Sequence, residues 1–449
     1  MTQKENIIRL ENVYRAQQSA AAVVYGMPRA GLKEFLFDFL KDKEYFYYKA
    51  VPCDLPLQFN FITKQLAESF KYSLTNVKDF NKVLKSYVNS SENKKVIVLD
   101  DFTHLSKGNK TFLNFILSLL RNQPNILFIL STEDTNFIEN EMPSYFGKAV
   151  YELNCLIKVE AGSFLEISSK YKNTDFAELS SVYACLGGNR ELWNYYKNGV
   201  SCKDFIINEL LGTNGLCARL KDSLLPSDLR EKSVYNTLLY ILSDGNVKLN
   251  DIHEKSGYDR AKISVYLKNL SDRGIVRKAE SFAALKNSNV KKGIYTICDP
   301  FISFWYKFIF PNISMLEIIS PERFYRKFIE SGFNAYRETV FVDIVRECLD
   351  LQLKKDGLNI GANSFGRFLD KNDAIDIAGT TTDGSIILCA CHINRPHMPY
   401  RRLEELIESA AKSKIKYDYI LLASAVDFDQ KLHLYSSVHD NIKLISKFV

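Results

Sequence analysis

Three short apolar runs constrain this chain more than any other feature: AAVVY at 21–25, VIVL at 96–99 and ILFIL at 126–130. Each is too short for a helix and has no polar residue to turn toward water, so each fits a strand covered on both faces. Residues 46–50 give a further strand. Between the strands, residues 34–40, 59–80, 81–88 and 112–120 carry apolar residues at helical spacing. Strands alternating with helices predict βαβ units on a parallel sheet.

The pattern then changes. Residues 151–225 read as helical, with a break at Gly187-Gly188. From 233 to 297 the order is helix, turn (Asp244-Gly245-Asn246), short helix ended by Gly257, a helix capped by Asp259 and stopped at Gly274, strand (275–278), polar loop and strand (293–297). That is the order of a winged helix-turn-helix. Beyond Pro311 a linker leads to a helix over 333–351, strands near 374–378 and 385–391, a helix over 403–412 and a strand over 417–423. The expected division is 1–150 for the sheet domain, 151–228 for a helical lid, 229–312 for the winged helix, 313–332 for a linker and 333–449 for a C-terminal α/β domain. At about 150 residues per domain, 449 residues suit three or more such parts.

Composition narrows the function classes. Charged residues at 25%, with 30 Phe and 25 Tyr, are globular values that exclude a disordered or collagen-like chain. A net charge of +6 over this length is too mild to demand a nucleic-acid partner. Nine cysteines cannot all pair, and the lone C-x-C of Cys389 and Cys391 lacks a second pair at zinc spacing. Reduced core thiols, no metal centre and no membrane span are expected, and with a polar first segment the expected location is cytoplasmic.

The first strand runs into Gly26-Met27-Pro28-Arg29-Ala30-Gly31-Leu32-Lys33, with the spacing G-x-x-x-x-G of a phosphate loop. Such loops cradle phosphates with backbone N–H groups, a Lys after the second Gly reaches the β/γ oxygens, and the next Ser or Thr holds Mg²⁺. Here those two places hold Leu32 and Lys33, so restoring Lys and Thr is expected to create or strengthen nucleotide binding. Asp100 and Asp101 end the VIVL strand, where the first acid supports Mg²⁺ and the second polarises water. Asp101 is one methylene shorter than the usual Glu. Ser131-Thr132 sits where a polar residue faces a γ-phosphate.

These pieces resemble the archaeal-type P-loop ATPase family of the AAA+/STAND group, which joins an ATPase domain to a winged helix and a C-terminal restriction-endonuclease-like domain. The matching segments are VVYGMPRAGLKEFL, VIVLDDFTHL, PSYFGKA (143–149), CLGGNRELW (185–193), YLKNLSDRGIVRK (266–278) and YTICDPFISFWYKFIFPN (295–312), in the family's order over nearly the whole chain. The resemblance implies ATP and Mg²⁺ as cofactors, with Gly26, Arg29, Gly31, Lys33 and Asp100 around the nucleotide and Asp101 as catalytic residue. The departures are as informative: Gly31-Leu32-Lys33 stands for G-K-T, Asp100-Asp101 for Asp-Glu, Lys148 for Arg, and Arg190 for the Pro of a Gly-Gly-x-Pro pattern. They lead to the expectation of a degenerate ATPase kept as a DNA- or protein-binding scaffold. The alternative is an active NTPase with a non-standard loop, using Lys33 or Arg29.

On the third winged-helix helix, Ile263, Leu267 and Leu270 form a core stripe, leaving Arg260, Lys262, Lys268 and Asn269 opposite. Residues 231–300 hold 12 Lys/Arg against 8 Asp/Glu, and Lys286, Lys291 and Lys292 fall in the wing. Arg260, Lys262, Lys268, Lys291 and Lys292 are the expected DNA contacts. The C-terminal resemblance requires an Asp on one strand and (Asp/Glu)-x-Lys on the next, converging on Mg²⁺. Asp376 fits the first place; Ala390-Cys391-His392 replaces the second motif, and the upstream helical Glu falls on Val342. A vestigial Asp376, a catalytically dead nuclease-like domain, and a protein partner or homo-oligomer are therefore expected.

Overall fold

The computed structural model describes residues 3–16, 18–71, 79–212, 214–226, 229–245, 247–280, 293–355, 365–369, 374–381 and 383–446. The chain divides into two compact units. One comprises Met1–Ala161 with Asn189–Glu191 and Asp272–Gly274; the other comprises Gly162–Gly188, Leu192–Ser271 and Ile275–Val449.

The first unit is built on β1 (Ala20–Gly26), β2 (Tyr45–Lys49), β3 (Lys95–Asp100), β4 (Ile126–Thr132) and β5 (Cys155–Val159). All pair in parallel, in the order β2-β3-β4-β1-β5. Burial of every residue in β1, β3 and β4 explains why these strands read as unbroken apolar runs. One face packs Leu32, Phe35, Leu36 and Phe39 of the helix Leu32–Leu40 against Ala22, Val24, Val96 and Ile129. The other packs Leu113, Ile116 and Leu117 of the helix Phe112–Asn122 against Val23, Ile97 and Phe128. The helix Leu55–Ser69 starts earlier and ends sooner than the expected 59–80 helix, and Phe80–Val88 follows, its first turn capped by Asp79. β5 lies in a segment expected to be helical. Its pattern, buried at Cys155, Ile157 and Val159 and exposed at Leu156, is that of an edge strand with too few residues to betray a period of two.

In the second unit the helices Lys232–Ser243, Leu249–Ser256 and Arg260–Asp272 precede the antiparallel hairpin β6 (Val276–Glu280) and β7 (Gly293–Ile297), as the winged-helix pattern predicts. Asp259 caps the third helix through Lys262 N (3.2 Å). A second sheet has the order β14-β12-β10-β9-β8. Its strands are β8 (Phe365–Leu369), β9 (Ala374–Thr380), β10 (Ile386–His392), β12 (Tyr419–Ser424) and β14 (Ile442–Ile445), while β11 (His397–Met398) and β13 (Asp427–Phe428) form a short parallel pair. β8 and β14 were not foreseen; Phe365–Leu369 contains Gly366 and Arg367, and Ile442–Ile445 is only four residues long. The helix Glu330–Lys355 extends beyond the expected 333–351. All nine cysteines are free, seven of them buried. Among the described residues no helix is long and apolar enough to cross a membrane.

Candidate functional site

The carboxyl ends of parallel strands are where such sheets bind ligands, and here β1 delivers the loop 26–31 to the helix Leu32–Leu40. The loop turns through left-handed Arg29 (φ 66°) and Gly31 (φ 91°), with Ala30 N bonded to Met27 O at 3.1 Å. Both glycines are required by the protein's own packing. A Cβ on Gly26 would lie 2.5 Å from the carbonyl of Val159 on β5. A Cβ on Gly31 would lie 2.7 Å from Glu34 Oε2 and 3.0 Å from Arg190 Cδ. Glu34 stands at the third helical position, where a carboxylate is favoured by the helix N-terminus. A carboxylate of the chain thus lies against the glycine that a phosphate would approach.

The replacements at the lysine and hydroxyl places are not spare. Leu32 is 4% exposed and belongs to the core beneath the helix, so its side chain packs away from the loop. Lys33 is exposed and its ammonium lies 5.9 Å from the centre of the Phe37 ring, one turn along. Arg29 is buried, and Arg190 donates through Nη1 to Ala30 O (2.8 Å) and Glu160 O (2.5 Å). The residue in place of the family's Pro therefore ties the loop to the end of β5 with a buried guanidinium.

The acidic pair is equally engaged. Asp100 accepts from Tyr47 Oη on Oδ2 (2.5 Å) and from Ser131 Oγ on Oδ1 (2.7 Å). Lys49 Nζ stands 3.9 Å from Asp100 and 3.0 Å from Asp101, which adopts a left-handed φ of 51°. Parallel register sets this up: β2 and β3 pair Lys49 with Asp100, and Tyr47 lies two residues back on the same face. Burial and the Asp100 carboxylate raise the Tyr47 phenol, so it stays a donor. The Lys49 ammonium loses hydration, yet its bond to Asp101 holds its pKa above the usual lysine value. Glu133 keeps an exposed outer surface, but lost hydration at its carboxyl, then repulsion from Asp101 and Glu191, raises its pKa. Thr132 shares a hydroxyl contact of 3.4 Å with Thr103.

The structure thus gathers Gly26, Arg29, Gly31, Asp100 and Asp101 at one end of the sheet. Leu32 and Lys33 stand at the lysine and hydroxyl places, the Asp100 carboxylate accepts two hydroxyl bonds, and the Lys49 ammonium lies beside both acids. Tyr47, Lys49 and Glu34 were missed from sequence. The only signal was a Lys ending one strand beside a strand ending in Asp-Asp.

In the winged helix, Ile263, Leu267 and Leu270 are buried as predicted. Arg260 and Lys268 are exposed on one flank with Ser264 and Val265 between them; Arg260 also bonds Asn250 Oδ1 (3.2 Å). Lys262 departs from expectation. Its ammonium is half-buried, 3.7 Å from Glu231 and 5.1 Å and 5.6 Å from the centres of the Tyr258 and Tyr266 rings. Asn269 is turned to Tyr235 Oη (3.1 Å). Lys286, Lys291 and Lys292 lie outside the described residues.

In the C-terminal domain Asp376 Oδ2 accepts from Cys391 N (2.9 Å) and from Arg402 Nη2 (2.9 Å), which also reaches Cys391 O (3.1 Å). A guanidinium therefore faces Asp376 in a cavity of about 320 Å³. His392 Nδ1 lies 3.1 Å from Glu338 Oε1. Burial acts to raise the Glu338 carboxyl, but His392 and then Arg402 bring it below the usual range. Glu338, one helical turn before the buried apolar Val342, is thus the acid that meets His392. Among the described residues, no group of three or more His, Cys, Asp or Glu is set to hold a metal.

Comparison with known proteins adds the following. Residues 305–398 match a family described as archaeal and bacterial proteins of unknown function, and residues 228–300 match the sugar-specific transcriptional regulator TrmB family. An uncharacterized protein of Methanocaldococcus jannaschii is 24% identical over 363 residues, spanning 79% of this chain and 78% of that protein. Among solved structures, a Walker-type ATPase of Pyrococcus abyssi is 14% identical with a TM-score of 0.46, covering 68% of this chain and 95% of its own. The ORC2 protein of Aeropyrum pernix is 11% identical with a TM-score of 0.41, covering 66% and 88%. With its βαβ sheet, its glycine loop after β1 and its TrmB-type winged helix, this chain has the fold of the archaeal-type P-loop ATPase family that its sequence resembles.

Proposed function

We propose that this chain is a degenerate member of the P-loop ATPase group, a scaffold that binds DNA or a protein partner and no longer hydrolyses ATP. The single observation that carries the reading is the state of Asp100. Both carboxylate oxygens are bonded to hydroxyls of the chain, and Lys49 brings a permanent positive charge to the place a divalent cation would take. Mg²⁺ prefers near-octahedral oxygen coordination and would have to compete with the ammonium beside a carboxylate already bonded on both oxygens. The Glu34 carboxylate beside Gly31 opposes an incoming phosphate in the same way. The C-terminal domain follows suit, with Arg402 in place of a metal at Asp376, and is read as an inactive nuclease-like domain.

DNA contact is assigned to the exposed flank of the helix Arg260–Asp272, through Arg260 and Lys268. A positively charged helix flank would meet phosphates, and the match of residues 228–300 to a transcriptional-regulator family supports that reading. The test of the scaffold reading is calorimetry of the full chain with ATP, with and without Mg²⁺. No heat at millimolar ATP is expected; micromolar, Mg²⁺-dependent binding would refute it and restore the alternative of an NTPase working through Lys33 or Arg29.

A further inference from the structure

Away from both vestigial sites, the second unit contains a cavity of about 820 Å³, within the usual size of small-molecule pockets. It lies among the β6–β7 hairpin, the helix Glu330–Lys355 and β8. Three guanidiniums line it: Arg277 from β6, Arg346 from the helix and Arg367 from β8. Arg277 Nη2 (2.8 Å) and Arg346 Nη2 (3.0 Å) converge on one carboxylate oxygen, Asp343 Oδ1. Two further acids line the cavity and are engaged elsewhere: Asp244 pairs with Lys307 (3.4 Å), and Glu347 with backbone. Its two oxygens accept the backbone N–H groups of Phe164 and Leu165, each at 2.9 Å. Arg277 is fixed from behind by Thr296 Oγ1 at 3.1 Å. Arg367 sits at a register shift between Gly366 and Phe368, and such irregularities re-aim a side chain.

Two guanidiniums on one carboxylate oxygen, with the charge of Arg367 acting on Arg346 as well, favour a further anion. Burial, followed by Arg277 and Arg367 and only partly offset by Asp343, depresses the Arg346 pKa below the usual arginine value. Guanidinium forks match phosphate oxygens two at a time, and several of them match a dianion better than a single carboxylate. Ala335, Val340 and Pro300 give an apolar wall for the rest of a ligand.

We propose that this cavity binds a small phosphorylated compound, its phosphate held by Arg277, Arg346 and Arg367. An occupant would touch the winged-helix hairpin, the long helix and the second sheet at once. This proposal stands independently of the scaffold reading, because it uses none of its residues.

Cys298 lines the cavity and reports on it, although burial pushes its thiol up to about 11. The test is alkylation of Cys298 in the full chain by N-ethylmaleimide at mildly alkaline pH, read by peptide mass spectrometry, with inorganic pyrophosphate as probe. Saturable protection is expected, about tenfold once the probe exceeds its Kd about ninefold. Arg367→Gln and Arg346→Gln should each abolish it, and thermal unfolding shows whether each variant folds. Arg367→Gln keeps the test decisive if loss of the half-buried Arg346 unfolds the chain. Absence of protection, equal protection in wild type and both variants, or protection by citrate or duplex DNA but not by pyrophosphate would each overturn the proposal.

Discussion

Substituting Leu32→Lys together with Lys33→Thr rewrites the loop as the G-K-T of the family it resembles, and the packing of Leu32 argues for a different outcome from the one the spacing suggests. Sequence spacing alone says nucleotide binding should appear. Leu32, however, is 4% exposed and packed with Phe35, Leu36 and Val24, so its burial contributes about 2–3 kcal/mol that a lysine forfeits. The new ammonium must either be buried or unwind the first turn of the helix to reach the loop. One charge-assisted bond to a phosphate returns about 1.5–3 kcal/mol, and only when ligand is present. The two effects nearly cancel, while Asp100 stays bonded to Tyr47 and Ser131 with the Lys49 ammonium beside it. Lys33 is exposed, so its replacement changes little. The variant should therefore lose about 2–3 kcal/mol of stability in urea unfolding. Its thermal midpoint should fall by about 5–10 °C for a unit of this size. Calorimetry should still show no Mg²⁺-dependent ATP binding. Micromolar binding with an unchanged midpoint would refute the reasoning, because it would mean that the side chain at 32 faces the loop and that only the lysine was missing.

Other consequences are equally open to measurement. Arg260→Ala with Lys268→Ala should weaken DNA binding and reduce the slope of log K against log salt by about 1–2, whereas Lys262→Ala should leave that slope unchanged because its ammonium serves Glu231 and two tyrosine rings. An equal effect from Lys262 would move the contact face. Asp376→Asn should cost about 2 kcal/mol in denaturant unfolding by weakening the Arg402 bond, with no change in Mg²⁺-dependent DNA cleavage; a cleavage activity that the substitution removes would contradict a dead domain. Glu44 is held down to about 2, chiefly by the hydrogen bond from buried Lys95 and then by Asn93 and Ser91. Since its folded pKa lies below the unfolded value of about 4.3, its stabilisation is present above that pH and is lost as pH falls toward about 2. The urea midpoint should drop across that window in wild type and drop less in Glu44→Gln; identical profiles would remove Glu44 from the acid response.

What could be read in advance followed from how strongly local pattern reports burial. Runs such as VIVL and ILFIL have no polar face, so a strand buried on both sides was their one consistent reading, and Ile263, Leu267 and Leu270 gave the winged-helix core in the same way. Cys155–Val159 escaped because five residues with mixed burial look alike in strand and loop, and Phe365–Leu369 because Gly366 and Arg367 break its apolar run. The contact of Glu338 with His392 was not foreseen, since nothing in the local sequence links a helix residue to the end of a later strand.

The sequence by itself determined the sheet architecture, the glycine spacing, and which residues stand at the loop's lysine and hydroxyl places (Leu32 and Lys33) and on the strand after Asp376 (Ala390-Cys391-His392). All of these are matters of residue type and order. Only the tertiary structure decided what fills the gaps. Lys49 meets Asp100 because β2 and β3 pair in parallel register, Arg190 reaches Ala30 across 160 residues of chain, and Arg402 lies on Asp376 because a helix returns over β9. Charge neutralisation in a folded protein is set by distance in space, and residues far apart in a chain carry no local signal of it.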